Sequence, residues 1–262
     1  MRIATFNING LTRRIGNLLD WLEVARPDVV CLQELKTAHD RFPRERLEEA
    51  GYGAVWRGER TWNGVAILAR DAVPVMTRDA LPGEDATAQS RYIEAAVRGI
   101  LIGCLYAPNG NPAPGPKFDA KLVWHDRFEA HAADLLAAAV PVVLAGDYNI
   151  VPEPRDIYET RSYDGNALIS PEGRAAFARL IAQGWTDALR ALHPEGSVFT
   201  FWDYRRNRFE RDGGMRLDHL LLSPDLAPQL REAGVDREVR AAENASDHAP
   251  VWVRLGRARR RA

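Results

Sequence analysis

The stretch VVLAGDYN, residues 142–149, joins an apolar run to two polar side chains, Asp147 and Asn149. A short apolar run bounded by turn residues is typical of a strand in the interior of a sheet. The same pattern occurs in VVCLQE, residues 29–34, where the apolar run ends near Glu34. Two interior strands that end in acidic residues indicate a layered α/β fold with polar groups gathered at one sheet edge.

Two further acidic residues flank apolar runs later in the chain. Asp218 precedes the run HLLL, and the pair Asp247 and His248 precedes the run APVW. Carboxylates from four strands can approach one another only when a cation offsets their repulsion. A donor set rich in oxygen and poor in cysteine suits Mg²⁺ or Mn²⁺ better than zinc. Because those ions normally act on phosphates, we expect hydrolysis of a phosphate ester.

Each of these residues, taken singly, has an ordinary structural explanation. A lone Glu34 is more often a surface carboxylate, and Asp147 and Asn149 after a glycine are more often turn formers. A lone Asp247 is explained as a turn cap, and His248 as a polar residue satisfied near the core. Their joint occurrence in one order is what favours a functional site.

Short apolar strands alternate with amphipathic helices through most of the chain, which predicts an α/β architecture. The predicted strands lie near residues 1–7, 28–33, 53–57, 64–69, 91–97, 100–106, 141–146, 217–222 and 249–255. The strongest helical pattern runs from Lys117 to Ala139, where Trp124 and Phe128 recur at helical spacing. With no repeat or linker, the sequence predicts one domain over residues 1–256 and a basic tail over residues 257–262.

Composition excludes several classes of protein. A hydrophobic content of 46% is enough for a large core, and it excludes a disordered chain. The 35 basic and 36 acidic side chains give a formal net charge of −1, so a polyanion must be met by a local basic patch. Two cysteines cannot build a disulfide framework, and no apolar run reaches the roughly 20 residues of a membrane span. These features, with no signal-peptide pattern, predict a cytoplasmic protein.

Three segments, residues 108–116, 152–166 and 201–215, show no regular pattern. Loops of this length in a domain are usually functional or disordered. The third segment interleaves arginines with aromatic residues, which suits a phosphate chain and its bases, although a solvated loop is the alternative. The candidate phosphate contacts are Arg91, Lys117, Lys121, Arg205, Arg206 and Arg208.

Eight motifs occur in order from the first predicted strand to the last. They are TFNINGL at 5–11, LQE at 32–34, WNGVAI at 62–67, YAPN at 106–109, GDYN at 146–149, TFWDYR at 200–205, RLD at 216–218 and SDHAPV at 246–251. This ordered set resembles the exonuclease III family of abasic-site endonucleases, within the endonuclease/exonuclease/phosphatase superfamily. The resemblance covers nearly the whole chain.

The resemblance implies a fold and an activity. The fold is a four-layer α/β sandwich, in which two packed mixed β-sheets are flanked by helices. The activity is metal-dependent hydrolysis of DNA phosphodiesters, with Mg²⁺ as the ion and Mn²⁺ as its substitute. The substrate is double-stranded DNA, cut 5′ to abasic sites or trimmed at 3′ ends by 3′-to-5′ exonuclease and 3′-phosphatase activity. A monomer that does not bind membranes is expected.

The resemblance also implies a role for each matched residue. Glu34, helped by Asn7, holds the metal ion, and Asp247 lies in its outer shell or binds a second ion. The remaining catalytic roles fall to Asp147 as the base for water, Asn149 on the phosphate, His248 polarised by Asp218, and Tyr106 and Asn109 at the leaving oxygen. The implied walls of the abasic-sugar pocket are Phe201, Trp202, Met215 and Leu217.

Two other functions are compatible with this fold. A phospholipid or inositol-phosphate phosphodiesterase would carry His near Asn109 and an apolar loop that faces a membrane, and the sequence has neither. A non-catalytic DNA-binding module has no need for a complete set of metal-binding and base candidates. Both alternatives are weaker than a DNA phosphodiester hydrolase.

Overall fold

Apolar strands form two sheets whose edges carry the polar residues singled out above. The structure, a computed structural model, describes residues 1–84, 88–159 and 165–256. The strands are β1 (Arg2–Asn7), β2 (Val29–Gln33), β3 (Tyr52–Arg57), β4 (Val65–Arg70), β5 (Val75–Arg78), β6 (Tyr92–Val97), β7 (Ile100–Tyr106), β8 (Val142–Asp147), β9 (Thr186–Asp187), β10 (Asp218–Leu222), β11 (Leu230–Val235) and β12 (Val251–Leu255). The predicted tail at 257–262 lies outside the described residues.

The helices are α1 (Leu11–Ala25), α2 (Arg44–Glu49), α3 (Pro116–Ala137), α4 (Pro171–Ala182) and α5 (Ala188–Leu192). Helices α1 to α4 cover the outer faces of the sheets, whereas α5 packs Ala188 and Leu189 against the apolar cluster between the sheets. Helix α3 begins with proline at its first position, where the missing N–H costs no hydrogen bond. In the described part of the chain, no helix combines the length and the apolar character needed to cross a bilayer.

Each sheet has six strands and is mixed. The first has the order β11-β12-β1-β2-β4-β3 and the second the order β5-β6-β7-β8-β10-β9. In the first sheet β1 and β2 are parallel, and in the second β7 and β8 are parallel, whereas the other pairs are antiparallel. This confirms the predicted pair of mixed sheets.

Three apolar clusters account for the four layers. The largest lies between the sheets and contains Val29, Ile67, Ile102 and Leu220 among others. A second cluster joins α1 and α2 to the outer face of the first sheet, and a third joins α3 and α4 to the outer face of the second. Residues that alternate along β1 and β8 therefore serve different layers, because successive side chains point to opposite faces.

All nine predicted strands and the predicted helix at 117–139 are present, with ends that differ by one or two residues. Strands β5, β9 and β11 were not predicted. Strands β5 and β11 are edge strands with exposed or half-exposed residues, and each carries a register shift against its neighbour. Because an edge strand faces solvent, its sequence lacks the apolar run that marks an interior strand.

The strand registers place the acidic residues together. Asp147 on β8 pairs with Asp218 on β10 and, on the other side, with Tyr106 on β7. On the first sheet, Asn7 at the end of β1 pairs with Gln33, the residue before Glu34. The two sheets thus end side by side, and each end delivers polar side chains to one site.

We expect Gly146→Ala to destabilise the protein and Gly16→Ala to stabilise it. A Cβ at Gly146, beside Asp147, would lie 1.9 Å from the Leu105 carbonyl oxygen, whereas a Cβ at Gly16 in α1 would meet nothing within 4 Å. Overpacking costs about 1–3 kcal/mol, and removal of a helical glycine gains about 0.5–1 kcal/mol. Urea denaturation of both variants checks this, and an unchanged midpoint for Gly146→Ala would contradict the packing argument.

Candidate active site

A buried histidine lies between two buried carboxylates at the carboxyl end of β8. The His248 Nδ1 atom donates to Asp218 Oδ2 at 2.8 Å, and its Nε2 atom lies 3.8 Å from Asp147 Oδ2. All three side chains are almost fully inaccessible to solvent. The loop SDH places His248 here, because the Ser246 hydroxyl donates to the Asn7 carbonyl and accepts from the His248 N–H.

The charges in this group shift the pKa values of its members. Burial alone would lower the pKa of His248, but the charge of Asp218 and its hydrogen bond raise that pKa to about 10. Burial raises the pKa of Asp147, and the neighbouring carboxylates Asp218 and Glu34 raise it further against the opposing charge of His248. The imidazole is therefore held in its charged form, and Asp147 is a stronger base than an exposed aspartate.

Glu34 reaches the same group through the amide of Asn7. The Asn7 Nδ2 atom donates to Glu34 Oε1 and to Asp147 Oδ2, each at 2.9 Å. The Lys36 ammonium lies 2.8 Å from Glu34 Oε2. Burial acts to raise the pKa of Glu34, but the Lys36 charge and the Asn7 hydrogen bond lower it. Glu34 and Asp147 thus face each other across one amide.

Two asparagines extend the site away from β8. The Asn149 backbone has a φ of 50°, a left-handed conformation that asparagine tolerates, and its N–H donates to Asp147 Oδ1 at 2.9 Å. Its amide donates to the Ala107 carbonyl at 2.8 Å. The exposed Asn109 then donates to Asn149 Oδ1 at 3.2 Å. Asp147, Asn149 and Asn109 therefore form one connected row.

Tyr106 lies beside this row, as the sequence predicts. Its hydroxyl is hydrogen-bonded to Glu34. Burial and the charges of Glu34 and Asp147 raise the pKa of Tyr106, so the phenol keeps its proton. Arg91 stacks over the ring, 4.8 Å from its centroid, and donates to the Tyr106 carbonyl at 3.2 Å. Tyr106 is thus a hydrogen-bond donor held by a cation on its far side.

The predicted metal ligands lie at different distances from one buried group of side chains. Asp147, Asp218 and His248 form a group whose ligand atoms lie within 4.8 Å of one another. Glu34 adjoins that group through Asn7, whose amide nitrogen rather than its oxygen faces the carboxylates. Asp247 lies to one side, where its Oδ1 accepts from the Asn9 amide at 2.9 Å.

The donor atoms fit a hard divalent cation. The Asp218 Oδ1 atom is buried without a hydrogen-bond partner among the described residues. Asp147 beside it, and Glu34 across the Asn7 amide from Asp147, also offer carboxylate oxygens, which are the ligands that Mg²⁺ and Mn²⁺ prefer. Because the His248 ring is engaged by Asp218 and held in its charged form, its nitrogens are poor metal ligands.

The predicted sugar pocket is largely closed in this structure. Phe201 is half-buried, and its ring lies 4.9 Å from the His248 ring. Met215 and Leu217 are each 2% exposed and pack against Phe201 within one small apolar cluster. Trp202, also predicted to contact substrate, is 1% exposed in this structure, and its indole N–H donates to Asp212.

The predicted phosphate contacts divide into two groups. Lys117, Arg205 and Arg206 are exposed, and Arg91 is half-buried beside Tyr106. Lys121 and Arg208, by contrast, point inward in this structure. Lys121 is buried, and Arg208 is 9% exposed and stacks over the Tyr158 ring at 4.1 Å.

Several residues that support the site were missed in the sequence. The ion pair of Lys36 with Glu34 could have been predicted, because a lysine two residues after a carboxylate is close enough to pair with it. The pair made by Arg216 could not, because its partner Asp156 is 60 residues away; the guanidinium donates to both Asp156 carboxylate oxygens at 2.8 and 2.9 Å. This pair anchors the strand that carries Leu217 and Asp218.

Loop 201–215 is supported from a second segment that the sequence did not indicate. Arg237 stacks over the Phe209 ring at 4.3 Å, and Arg240 stacks over Tyr204 at 4.8 Å. Arg240 also donates to the Trp202 carbonyl at 3.1 Å. Cation–π contacts therefore fix the arginine-rich loop against the short helical turn at Arg237–Ala241.

The fold and the site together define a class of phosphate-ester hydrolase. A sequence profile described as the Endonuclease/Exonuclease/phosphatase family matches residues 4–248. The chain is similar to the exodeoxyribonuclease III of Haemophilus influenzae, with 35% identity over 97% of this chain and 99% of that protein. The chain therefore belongs to the endonuclease/exonuclease/phosphatase family.

Solved structures show the same similarity over the whole fold. A 3′-5′ exonuclease from Neisseria meningitidis has a TM-score of 0.94 and 38% identity, with 98% of this chain and 100% of that chain covered. An AP endonuclease from Archaeoglobus fulgidus has a TM-score of 0.92 and 30% identity, with 97% and 99% covered. A Neisseria 3′ phosphatase bound to a product DNA hairpin also has a TM-score of 0.94 and 38% identity, with 97% of this chain and 99% of that chain covered.

We expect the free energy of unfolding to fall as the pH rises from about 6.5 to 10. A histidine whose folded pKa is about 10 stabilises the folded state fully below its ordinary pKa of 6.5, and this contribution is lost as the pH rises through 10. In Asp218→Asn the pKa of His248 decreases, so the slope over this interval becomes shallower.

Urea denaturation at several pH values measures this slope. The variant His193→Gln removes an exposed histidine and is the matched control, which should keep the wild-type slope. An Asp218→Asn protein with the wild-type slope would contradict the role of Asp218 in charging His248.

Proposed function

We propose that the chain is a metal-dependent hydrolase that cleaves DNA phosphodiesters at abasic sites and at 3′ ends of duplexes. The observation that carries this proposal is the convergence of Asp147, Asn149 and the His248–Asp218 pair with Glu34 at the ends of the two sheets. The names of the similar proteins, an exodeoxyribonuclease, a 3′ phosphatase and an AP endonuclease, support the same substrate class.

Asp147 is the proposed base. It is buried, its Oδ1 is fixed by the Asn149 N–H, and its Oδ2 is fixed by the Asn7 amide. These contacts aim the carboxylate and restrict its motion, so a water bound to it is held in one orientation. The raised pKa of Asp147 brings its basicity closer to that needed for proton transfer near neutral pH.

His248 and the amides are the proposed phosphate-binding groups. The phosphodiester transition state concentrates negative charge on its non-bridging oxygens and on the leaving oxygen. The charged His248 ring and the Asn109 amide each keep an N–H without a close acceptor among the described residues. The Asn149 amide lies next to Asp147, and its closer hydrogen bond goes to the Ala107 carbonyl at 2.8 Å. The Tyr106 hydroxyl lies on the Glu34 side of the site, where its O–H is bonded to Glu34 in this structure. Donors fixed before the substrate arrives need no reorganisation during the reaction.

The proposed metal site centres on Glu34, with Asn7 as its support. Asn7 donates to Glu34 and Asp147 and keeps them together, which fits a helper role better than direct ligation. Asp247, linked to Lys36 through Asn9, is proposed to lie in the outer surroundings of the ion. Bound Mg²⁺ or Mn²⁺ supplies a Lewis acid for phosphate oxygens at this position.

The closed apolar cluster bears on the choice between substrates. An abasic sugar needs an opening beside Phe201, and Met215 and Leu217 fill that space in this structure. A 3′-terminal nucleotide needs only access to the row of Asp147, Asn149 and Asn109. We therefore propose that 3′-end processing is the stronger activity and that cleavage at internal abasic sites requires Met215 to move.

The alternative substrates gain no support from the site. A phospholipid or inositol-phosphate phosphodiesterase is expected to carry histidine at position 109, where this chain has Asn109. A non-catalytic binding module has no use for the buried charges of Asp147, Asp218 and His248, which are costly to maintain without a reaction. The free, buried cysteines Cys31 and Cys104 agree with the proposed cytoplasmic location, and a monomer is the proposed state.

We expect Asp147→Asn to lower kcat by at least about 100-fold because it removes the base, while affinity for duplex DNA stays within about threefold. The assay compares a duplex with an internal abasic site and a duplex with a recessed 3′ end, each with Mg²⁺ and with chelator. Fragment lengths separate nicking from end trimming, and the recessed end should be processed faster.

The exposed carboxylate Asp225 provides the matched control, and Asp225→Asn should keep wild-type rates on both duplexes. Full activity of Asp147→Asn would contradict the assignment of the base. Hydrolysis of phospholipid head groups by the wild type, with no action on either duplex, would overturn the proposed substrate.

We expect Glu34→Gln to raise the Mg²⁺ concentration for half-maximal activity by about tenfold or more, because one ligand charge is lost. Calorimetric titration of the protein with Mn²⁺ gives a readout that does not depend on turnover, and the affinity should fall in parallel. The exposed Glu172, at the start of α4, is replaced by Gln as the control. Unchanged Mn²⁺ affinity in Glu34→Gln would place the metal elsewhere.

A further inference from the structure

Lys121 is a buried cation whose hydrogen bonds all go to backbone carbonyls. Its ammonium donates to the carbonyl oxygens of Asn109 at 3.2 Å, Asn149 at 2.6 Å and Ala167 at 3.0 Å. A lysine has three N–H donors, so these contacts use all of them. The side chain has no donor left for a phosphate, which excludes the direct contact with DNA expected from the sequence.

The three carbonyls belong to three separate loops. Asn109 follows β7, Asn149 follows β8, and Ala167 precedes α4. Two of the three residues carry the amides proposed to bind the phosphate and the leaving oxygen. One rigid point on α3 therefore fixes the backbone of both amide-bearing loops.

The Asn149 contact acts on a conformation that needs support. Its left-handed φ of 50° is uncommon for most residues, although asparagine adopts it more readily than others, and this conformation turns the carbonyl toward α3. The Asn149 amide donates to the Ala107 carbonyl at 2.8 Å and lies 3.4 Å from Asp147 Oδ2. The Lys121 hydrogen bond at 2.6 Å thus holds the turn that directs this amide into the site.

An asparagine ladder holds Asn109 from the opposite side. The Asn111 amide donates to Asn109 Oδ1 at 2.7 Å and to Asn166 Oδ1 at 2.9 Å. Asn111 Oδ1 in turn accepts from the Ala167 N–H at 2.9 Å. With its oxygen engaged by Asn111, the Asn109 side chain directs its amide nitrogen toward Asn149.

The methylene groups of Lys121 are tightly packed against the backbone of Gly110. A Cβ on Gly110, between Asn109 and Asn111, would lie 2.6 Å from Lys121 Cδ. Gly110 has a φ of 85°, a conformation that favours glycine. The backbone at Gly110 can approach the lysine side chain this closely because glycine has no side chain. Lys121 is fully buried; burial lowers the pKa of Lys121, and the charge of Asp147 acts in the opposite direction.

We propose that Lys121 is a positioning residue, which tethers the Asn109 and Asn149 loops to α3 and thereby fixes the two amides against the reacting phosphate. The inference rests on the proposed function of the site. It differs from a role in DNA binding, since Lys121 is inaccessible, and from a role in stability alone, since its partners are the backbones of two proposed phosphate-binding residues.

The test replaces Lys121 with methionine, which keeps an unbranched chain but removes the ammonium. We expect kcat on the recessed 3′ end to fall by about 10- to 100-fold, because a shift of about 1 Å in a reacting group has that effect. KM and duplex affinity should change by less than about threefold, since the exposed contacts are untouched. The variant Val123→Ala, on the exposed face of the same helix, should match the wild type.

A second variant guards against a failure to fold. Asn111→Ala removes the ladder from outside the core, and it should lower kcat in the same selective way with little change in Tm. Side-chain amide signals in the NMR spectrum give a readout that a purely stabilising residue would not move: those of Asn109 and Asn149 should broaden or shift in both variants.

The outcomes separate the two proposals. An inactive wild type would defeat the proposed function, and the amide signals would still report on the tether. An active wild type with unchanged kcat and unchanged amide signals in both variants would overturn the inference. A loss confined to Tm, or a rise in KM at constant kcat, would likewise overturn it in favour of a structural or a DNA-binding role.

Discussion

Repulsion among buried carboxylates is the constraint on which the site depends. Asp147 and Asp218 are almost fully removed from water, and the half-buried Glu34 lies close to Asp147, so the repulsion among these charges is strong. The fold offsets this repulsion with His248 between two of the acids and with Lys36 against the third. A divalent cation adds to the same compensation, so metal binding and the assembly of the carboxylates are one electrostatic problem.

The two-sheet architecture solves that problem by rigid placement. Each sheet contributes acids from the ends of its interior strands, and hydrogen bonds between strands set the register that makes Asp147 face Asp218. Asn7 then joins the sheets, because its amide donates to an acid from each. Carboxylates held by strands cannot relax apart, which preserves a site that local repulsion would otherwise open.

The sequence predicted the interior of this molecule much better than its borders. Interior strands carry continuous apolar runs, and their terminal acids were identifiable because they interrupt those runs. The edge strands β5 and β11 lack that signal. The direction of long basic side chains could not be predicted either, because nothing in the local sequence distinguishes Lys121 and Arg208 from exposed lysines and arginines. Both side chains point inward because their partners are distant in the chain. Likewise, nothing local in the sequence showed that Met215 and Leu217 would close the cluster beside Phe201.

This use of basic residues explains how a chain of net charge −1 can be suited to a polyanion. Three basic side chains bind partners inside the protein. Lys36 pairs with Glu34, Lys121 donates to three backbone carbonyls, and Arg216 pairs with Asp156. The charges of Lys36 and Arg216 are largely offset by their carboxylate partners, and all three side chains fix groups of the site. Arg205, Arg206 and Lys117 are exposed and remain the predicted contacts with DNA. Such a division favours accurate placement of one phosphodiester over tight nonspecific binding, and it suits an enzyme that must release its product strand.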